Sequence, residues 1–249
     1  MLAREKIRLY VDTPLGAGKA VVLTRPQAHY LFAVMRLQAG ARVALFNGVD
    51  GEWSAEVVAA GKRAGELRCL GQSAAQLDPP DLWLVFAPIR KARTDFIVEK
   101  AAEMGAARIL PVLTEFTNAE RVKLERLQAH AVEAAEQCGG TFVPPVVAPQ
   151  KLGALLDGWP AERRILFADE ALAEGAPQGV RQGFTPGEAG RGGPWAILIG
   201  PEGGFSPRER ARLRAMEVAH PVRLGPRILR ADTAAVAALT LWQLAMGDW

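Results

Sequence analysis

The sequence predicts an α/β protein made of a small β-rich N-terminal domain and a larger layered domain. In residues 1–76 short apolar runs alternate with turn residues, whereas in residues 77–249 apolar strands alternate with helical segments. Between the two parts, Pro79-Pro80 interrupts the pattern, as linkers between domains often do. We therefore predict a small β-barrel domain over 1–76 and a mostly parallel sheet covered by helices over 77–249.

The N-terminal domain is predicted to contain five strands and one helix. The turn signals Asn47-Gly48 and Asp50-Gly51 separate the third strand from the fourth, which is typical of a hairpin. The helix runs from about Pro26 to Leu37, and its apolar stripe consists of Tyr30, Leu31, Val34 and Met35. The strands are expected at Ile7–Val11, Ala20–Leu23, Val43–Phe46, Trp53–Val58 and Leu67–Leu70. Strands of this length and spacing favour a partial barrel.

The second domain alternates strands with helices, which is the pattern of a parallel sheet. Its first helix carries Ile97, Ala101 and Met104 on one face and ends at Gly105. The next helix ends at Gly139-Gly140, and Cys138 in its apolar stripe is interpreted as a core thiol. The strands are expected at Leu82–Ala87, Ile109–Leu113, Ile165–Ala168 and Ala196–Ile199. Glycine and proline over Gly175–Pro194 predict a mobile loop there.

Composition and charge narrow the class of protein. Of 249 residues 49% are hydrophobic and 23% charged, which is typical of a globular chain and excludes a disordered or fibrous one. No apolar run approaches the roughly 18 residues of a membrane span, and the charged start at Met1–Tyr10 lacks the apolar core of a secretory signal, so we expect a cytoplasmic protein. The two cysteines and three histidines are scattered, so neither a disulfide nor a metal site is expected.

The positive charge is concentrated in the N-terminal domain. Residues 1–76 carry ten Lys and Arg against six Asp and Glu, whereas the rest of the chain carries 20 against 21. A basic surplus attracts phosphate backbones, although many proteins with such a surplus bind no nucleic acid. The charge therefore leaves nucleic-acid binding and an ordinary solvated surface as alternatives.

The strongest local signal runs from Ala196 to Glu209, where a buried strand leads into a glycine-rich turn and then into a helix. Ser206 and Glu209 are spaced as a capping box. The turn's glycines, at positions 200, 203 and 204, permit positive φ and let a ligand lie against the backbone at the carboxyl edge of the sheet. A small-molecule pocket is predicted. The alternatives are an ordinary tight turn or a phosphate-binding loop, and Glu202 together with the missing Walker lysine argues against the phosphate loop.

A second segment, Val222–Ala235, repeats the order of strand, glycine turn and helix start. Asp232 or Thr233 is in position to cap the last helix. Arg227 and Arg230 lie in an irregular stretch of glycine, proline and aliphatic residues. That setting favours a walled pocket over two solvated loop charges.

Taken together, these segments resemble the SPOUT methyltransferases, most closely the family that methylates N3 of a uridine in 16S ribosomal RNA. Gly200-Pro-Glu-Gly-Gly204 and Leu224-Gly-Pro-Arg-Ile-Leu-Arg230 match that family nearly word for word. His29–Arg36 and Phe46-Asn-Gly48 look like its PUA-like RNA-binding barrel, and Lys91–Gly105, Pro111 and Glu136–Gly139 match its middle motifs. The resemblance extends over the whole chain.

The resemblance implies a trefoil-knotted C-terminal domain, S-adenosylmethionine as cofactor, a homodimer and the small ribosomal subunit as substrate. The cofactor residues it implies are Leu198, Ile199, Gly200, Pro201, Glu202, Gly203, Gly204, Leu224, Gly225, Ile228, Leu229, Arg230, Thr233 and Ala234. The RNA-binding residues, chosen from the motifs and the basic N-terminal charges, are Arg8, Arg36, Lys62, Lys91, Arg93, Glu136 and Gln137. The chain departs from the family at Gly140, where an arginine is common, and at Asp232, where a glutamate is common.

Methylation at N3 requires removal of the N3 proton, so the site needs a base or a cation that stabilises the resulting anion. We expect Arg230 to stabilise the anion and Glu202 or Asp232 to act as the base, although both carboxylates could instead be structural. Two other classes of function stay open at this point. One is a non-catalytic RNA-binding protein that uses the basic barrel alone, and the other is a nucleotide-phosphate enzyme that uses the Gly200 turn.

Overall fold

The computed structural model describes residues 5–118, 122–173 and 193–249, and its chain forms two compact units. The N-terminal unit consists of the residues up to Asp78 together with Ala135–Val143. The C-terminal unit consists of Pro79–Ala134 and Pro144–Trp249. The sequence pattern did not indicate that Ala135–Val143 belongs with the first unit. The predicted loop over 175–194 lies outside the described residues except for its last two.

A five-stranded sheet forms the N-terminal unit. Its order is β1-β3-β4-β5-β2, with β1 parallel to β3 and every other pair antiparallel. Asn47 holds the turn between the third and fourth strands, because its Oδ1 accepts the N–H groups of Val49 and Asp50. The strands are β1 (Arg8–Tyr10), β2 (Ala20–Val22), β3 (Arg42–Phe46), β4 (Glu52–Ala60) and β5 (Gly65–Ala74). All five lie where the sequence pattern predicted strands.

The predicted first helix is a short α-helix, α1 (Arg25–Ala28), followed by a π-helical turn over His29–Val34. A π turn has a wider period than the α-helix, so the expected apolar stripe is not kept. Leu31 is fully buried, whereas Val34 and Met35 are exposed. The predicted stripe is therefore wrong for these last two residues.

Arg8 forms a buried ion pair with Glu52, with 2.6 Å between Arg8 Nε and Glu52 Oε2 and with 7% and 2% of the two side chains exposed. The same guanidinium donates to the main-chain carbonyls of Ala135, Glu136 and Gly140 at 2.5 to 3.0 Å. This position corrects the prediction that Arg8 contacts RNA, because a guanidinium enclosed by a carboxylate and three carbonyls cannot also reach a phosphate. Arg8 instead ties residues 135–143 to the sheet.

The strands described in the C-terminal unit run parallel in one six-stranded sheet of order β11-β9-β10-β6-β7-β8. The strands are β6 (Leu82–Phe86), β7 (Arg108–Leu113), β8 (Gln150–Lys151), β9 (Arg164–Ala168), β10 (Trp195–Ile199) and β11 (Ala219–Val222). Every residue of β10 is buried, as expected of a parallel strand covered on both faces. The predicted parallel α/β layering is confirmed.

Five α-helices follow β6 in the described ranges. The first, α2, buries Ile97 and Ala101 and ends just before Gly105, whose φ is 76°; it contacts α6. The helix ending predicted at Gly139 is also present, with φ 82°. The helices are α2 (Lys91–Glu103), α3 (Leu124–Cys138), α4 (Leu152–Asp157), α5 (Pro207–Ala215) and α6 (Ala231–Met246).

Both cysteines are free, but only one of them belongs to the core. Cys69 is buried, whereas Cys138 is exposed, so the interpretation of Cys138 as a core thiol is wrong. The reason is its place as the last residue of α3, where the helix ends. Among the described residues, no group of His, Cys, Asp and Glu side chains could hold a metal ion, and no helix there could cross a membrane.

The enclosed Arg8–Glu52 pair predicts a large effect of losing one partner. We expect Arg8→Met to lower the free energy of unfolding of the N-terminal unit by about 3–5 kcal/mol, because Glu52 is left charged and buried. Arg8→Met combined with Glu52→Met should recover much of that loss. Hydrogen exchange of the β1 and β3 amides measures the change for this unit alone.

The matched control is Arg212→Met, which removes an ion pair with Asp157 whose side chains are 39% and 75% exposed. That loss should stay below about 1 kcal/mol when it is measured on the α5 amides. Similar losses for Arg8→Met and Arg212→Met would contradict the structural importance of the buried pair.

Candidate ligand-binding site at the sheet edge

A cavity of about 320 Å³ lies at the carboxyl ends of β9, β10 and β11, which are neighbours in the sheet. Its walls come from the three segments that follow these strands. In a parallel sheet all carboxyl ends open on one edge, so segments far apart in sequence meet there. Both motif segments of the sequence, after Ile199 and after Val222, contribute to this one cavity.

The turn after β10 is fixed at its far end by the predicted capping box. Ser206 Oγ accepts the Glu209 N–H at 3.2 Å, and Glu209 Oε2 accepts the Ser206 N–H at 3.0 Å. Of the turn's three glycines only Gly204 has a left-handed backbone, with φ 69°. Gly200 and Gly203 have no positive φ and so do not use the conformational freedom of glycine. The expectation of positive φ therefore holds for Gly204 alone.

Glu170 supports this turn from the segment after β9. Its carboxylate accepts the Phe205 N–H at 3.2 Å and forms an ion pair with Arg210 of α5. A Cβ at Gly204 would displace the same carboxylate, and the left-handed backbone there independently favours glycine. Glu170 therefore supports the turn and itself lines the cavity.

A buried carboxylate next to Glu170 anchors the same segment. Asp169 is 2% exposed and binds two arginines of α5, with 3.0 Å from Arg210 Nε to Oδ1 and 3.0 Å from Arg214 Nε to Oδ2. Burial lowers the pKa of Arg210, but the charges of Glu170 and Asp169 outweigh that effect and raise it above its ordinary value. Ion pairs thus connect the segment after β9 to helix α5.

The segment after β11 closes the cavity and leads into α6. Gly225 has φ 145°, and its carbonyl accepts a hydrogen bond from Arg223 Nε at 2.9 Å. Helix α6 begins after Arg230, which occupies the N-cap position without a capping side-chain hydrogen bond. The prediction that Asp232 or Thr233 caps this helix is therefore wrong, and Asp232 instead accepts the Thr233 N–H within the first turn.

Three charged side chains meet beside the cavity, and of these only Glu202 belongs to its lining. Arg93 of α2 lies 3.0 Å from Glu202 Oε1 and 3.7 Å from Asp232 Oδ2. Glu202 is half-exposed, and Arg93 and Asp232 are more buried. The two carboxylates chosen as base candidates therefore share one cation, which the sequence had suggested as an RNA contact.

Comparison with known proteins identifies the family. Residues 77–243 match the family model of an RNA methyltransferase domain, and residues 23–68 match that of an RNA methyltransferase PUA domain. The chain is 31% identical over 236 residues to the ribosomal RNA small subunit methyltransferase E of Synechocystis sp.. The aligned region covers 93% of this chain and 75% of that protein. This chain belongs to the ribosomal RNA small subunit methyltransferase E family.

Solved structures of methyltransferases share the whole fold. A methyltransferase from Legionella pneumophila, in complex with bound S-adenosylmethionine, has a TM-score of 0.85 and 27% identity and covers 99% of this chain and 100% of its own. The ribosomal RNA small subunit methyltransferase E of Neisseria gonorrhoeae, bound to S-adenosylmethionine, has a TM-score of 0.82 and 27% identity. The superposed region covers 98% of this chain and 99% of that one. The α/β fold with a PUA-like N-terminal unit is therefore the fold of this family.

Most of the residues predicted to hold a cofactor line the cavity of this family member. Those that line it are Ile199, Gly200, Pro201, Glu202, Gly204, Leu224, Gly225, Ile228, Leu229, Arg230 and Ala234. Leu198, Gly203 and Thr233 lie outside its lining. Leu198 is buried in β10, and the Cβ position of Gly203 faces Phe116. Cofactor contact stays a prediction for all of them.

Sequence reasoning missed other residues of the lining: Ala168, Asp169, Glu170, Val222, Arg223 and Ala231, together with Arg227, which it singled out but did not assign. A signal for the first three was present. Asp169 and Glu170 directly follow the predicted strand Ile165–Ala168, so they had to lie at the same sheet edge as the glycine turn.

The residues predicted to bind RNA are divided between the two units. Lys91 is exposed at the start of α2, near Arg93. In the N-terminal unit, Arg36, Lys62 and Gln137 are exposed, whereas Glu136 Oε1 accepts the Tyr10 N–H at 2.9 Å. RNA contact stays a prediction for these residues.

The geometry of the turn predicts opposite responses at adjacent glycines. We expect Gly204→Ala to lower the free energy of unfolding of the C-terminal unit by at least about 1–2 kcal/mol, from the left-handed backbone and the clash with Glu170. Gly203→Ala should cost less, because its φ is not positive and its Cβ would meet only the Phe116 side chain, which comes no nearer than 3.3 Å. Chemical denaturation of both variants measures the difference, and equal losses would argue against a conformational requirement at Gly204.

Proposed function

We propose that this chain transfers a methyl group from S-adenosylmethionine to N3 of a specific uridine in 16S ribosomal RNA. We further propose that it acts on the assembled small ribosomal subunit, in the cytoplasm, as a homodimer whose C-terminal unit forms a trefoil knot. The observation that carries the proposal is the single cavity formed by both motif segments at the carboxyl ends of β9, β10 and β11. Membership of the methyltransferase E family supports the reaction type and the RNA.

The residues of the cavity fit S-adenosylmethionine. A volume of about 320 Å³ is in the range of small-molecule sites. Gly225 has open space where a Cβ would stand and so leaves main chain open to the ligand. Leu224, Ile228 and Leu229 offer apolar surface to a flat base. The carboxylate of Glu202 also lines the cavity, and it shares its charge with Arg93.

The proposed reaction requires the loss of the N3 proton, since neutral uridine is a poor nucleophile at N3. S-adenosylmethionine, when bound, supplies an activated methyl group. The protein then has two tasks, which are to hold the uracil in line with that methyl group and to favour the uracil anion. Both tasks fall to side chains in or beside the cavity.

Arg230 suits the second task better than the carboxylates do. Glu202 and Asp232 already form ion pairs with Arg93, so its guanidinium partly neutralises their negative charges. Arg230 lines the cavity, is exposed, and forms no ion pair with another described residue. We therefore assign Arg230 to the developing negative charge, with Arg93 holding Glu202 and Asp232 in place as base candidates.

Methylation of purified small subunits, compared with naked 16S ribosomal RNA, tests the function. We expect label from methyl-labelled S-adenosylmethionine to enter the subunits at one uridine, with the methyl group on N3. The Gly204→Ala variant should lose cofactor affinity in calorimetry, whereas Gly203→Ala should retain it. Methylation on a ribose, or no transfer to either RNA, would overturn the proposal.

The role of Arg230 predicts a specific kinetic change. Arg230→Ala should lower kcat and kcat/KM by similar factors of about 10² to 10³, because a preorganised donor for the developing charge is lost. Higher pH should recover part of this loss, since the uracil anion then forms more easily. Single-turnover methylation across a pH series measures the chemical step.

Arg227→Ala is the matched control, because Arg227 is an exposed arginine of the same cavity. It should leave the chemical step near the wild-type rate. If Arg230→Ala kept a normal chemical step and only raised the KM for RNA, Arg230 would be a phosphate contact instead.

A further inference from the structure

The charged side chains that line the cavity at the sheet edge are unequally neutralised. The carboxylates in the lining are Asp169, Glu170 and Glu202, and the arginines are Arg223, Arg227 and Arg230. Each carboxylate forms an ion pair with an arginine that lies outside the lining. The lining arginines, by contrast, form no ion pair with another residue in the described ranges. The cavity therefore presents positive charge to a ligand that enters it.

Arg223 is the lining arginine that the fold holds most firmly. It is half-buried, whereas Arg227 and Arg230 are exposed. Its backbone directly follows β11, whose last residue, Val222, pairs with Ala168 of β9. Its Nε donates a hydrogen bond to the Gly225 carbonyl at 2.9 Å. Because backbone and side chain are both restrained before a ligand arrives, binding at Arg223 costs little further conformational entropy.

The guanidinium of Arg223 has donors left for a ligand. Its hydrogen bond to Gly225 uses Nε, and neither of its Nη groups has a hydrogen-bond partner in the part of the chain that the structure describes. Gly225 also lines the cavity, and the space where its Cβ would stand is open. The planar set of N–H groups in a guanidinium matches the two oxygens of a carboxylate. Arg223 is therefore suited to binding a carboxylate inside the cavity.

The carboxylates on the neighbouring strand end are occupied by other arginines. Asp169, which follows β9, is bound by Arg210 at one oxygen and by Arg214 at the other. Glu170 forms its ion pair with Arg210 as well. A half-buried guanidinium without a counter-ion has lost part of its hydration, and an anion supplied by the ligand offsets that loss. The charge that Arg223 lacks must come from outside the protein.

We propose that Arg223 binds the carboxylate in the amino-acid portion of S-adenosylmethionine and thereby determines specificity for the cofactor. The identity of the cofactor rests on the proposed function. Among the charged groups of S-adenosylmethionine, the sulfonium and the ammonium are positive and the carboxylate alone is negative. Arg230 is assigned to the uracil anion, and Arg227 is exposed, so Arg223 is the cation for the carboxylate. The cavity thus selects against adenosine compounds that lack this group.

The test measures cofactor binding by calorimetry with the full chain and without RNA. The ligands are S-adenosylmethionine and decarboxylated S-adenosylmethionine, which keeps the adenosine, the sulfonium and the amine but lacks the carboxylate. The variant is Arg223→Gln. The matched control is Arg227→Gln, the same substitution at an exposed arginine of the same cavity.

We expect the wild type to bind S-adenosylmethionine about 10- to 100-fold more tightly than the decarboxylated compound, because charge-assisted hydrogen bonds to the carboxylate are lost with it. Arg223→Gln should weaken the binding of S-adenosylmethionine by a similar factor and leave the binding of the decarboxylated compound nearly unchanged. Arg227→Gln should change either affinity by less than about threefold, since exposed charges are screened by solvent and salt.

The second ligand distinguishes recognition of the carboxylate from a structural role of Arg223. If Arg223→Gln weakened the binding of both compounds equally, its hydrogen bond to Gly225 would only shape the cavity, and the assignment would be overturned. The same holds if Arg223→Gln kept the wild-type preference for S-adenosylmethionine, or if the wild type bound both compounds equally well. Arg223→Lys keeps the charge without the planar set of donors, so we expect it to restore only part of the preference.

These outcomes are separate from those that test the proposed function. Methyl transfer to N3 of uridine by a chain whose Arg223→Gln variant keeps full cofactor affinity would overturn the role of Arg223 alone. Transfer to another RNA atom would overturn the proposed reaction but leave the carboxylate assignment in place. A wild type that bound neither compound would overturn both.

Discussion

The parallel direction of all six strands in the larger sheet is the constraint on which the candidate site depends. Because the strands share one direction, the segments after β9, β10 and β11 must all emerge at the same edge. Each brings a different component: the carboxylates that hold the turn, the turn itself and the arginine-rich approach to α6. Reversing a single strand would send its segment to the opposite edge and leave the cavity without a wall.

The sequence predicted the parts of the molecule whose causes are local. The capping box at Ser206, the strands and the helix ends at Gly105 and Gly139 depend on residues within a few positions of one another, so a pattern reveals them. Enclosure of Arg8 and the sharing of Arg93 by two carboxylates depend on partners more than 40 residues away. Nothing in the local pattern of charge distinguishes such a residue from an exposed one. The local pattern also gives no sign of the π-helical turn, which is why the burial of Val34 was predicted wrongly.

The two units use charge in different ways. In the C-terminal unit Asp169 is enclosed by two arginines, and the charges there fix the positions of loops and helices. In the N-terminal unit one pair, Arg8 with Glu52, is enclosed in the same manner, whereas Arg25, Lys62 and Arg63 are left to the solvent. A net charge of +3 conceals this division, because paired and unpaired charges count equally in the sum.

The chain enters the N-terminal unit twice, since Ala135–Val143 packs with residues that precede Asp78. During synthesis the chain emerges in order from its N-terminus. Arg8 therefore cannot form its hydrogen bonds to the carbonyls of Ala135 and Gly140 until more than 120 further residues have been synthesised. The N-terminal unit therefore cannot be completed until part of the C-terminal unit has been synthesised, and the two units cannot be exchanged between proteins by a single cut in the gene.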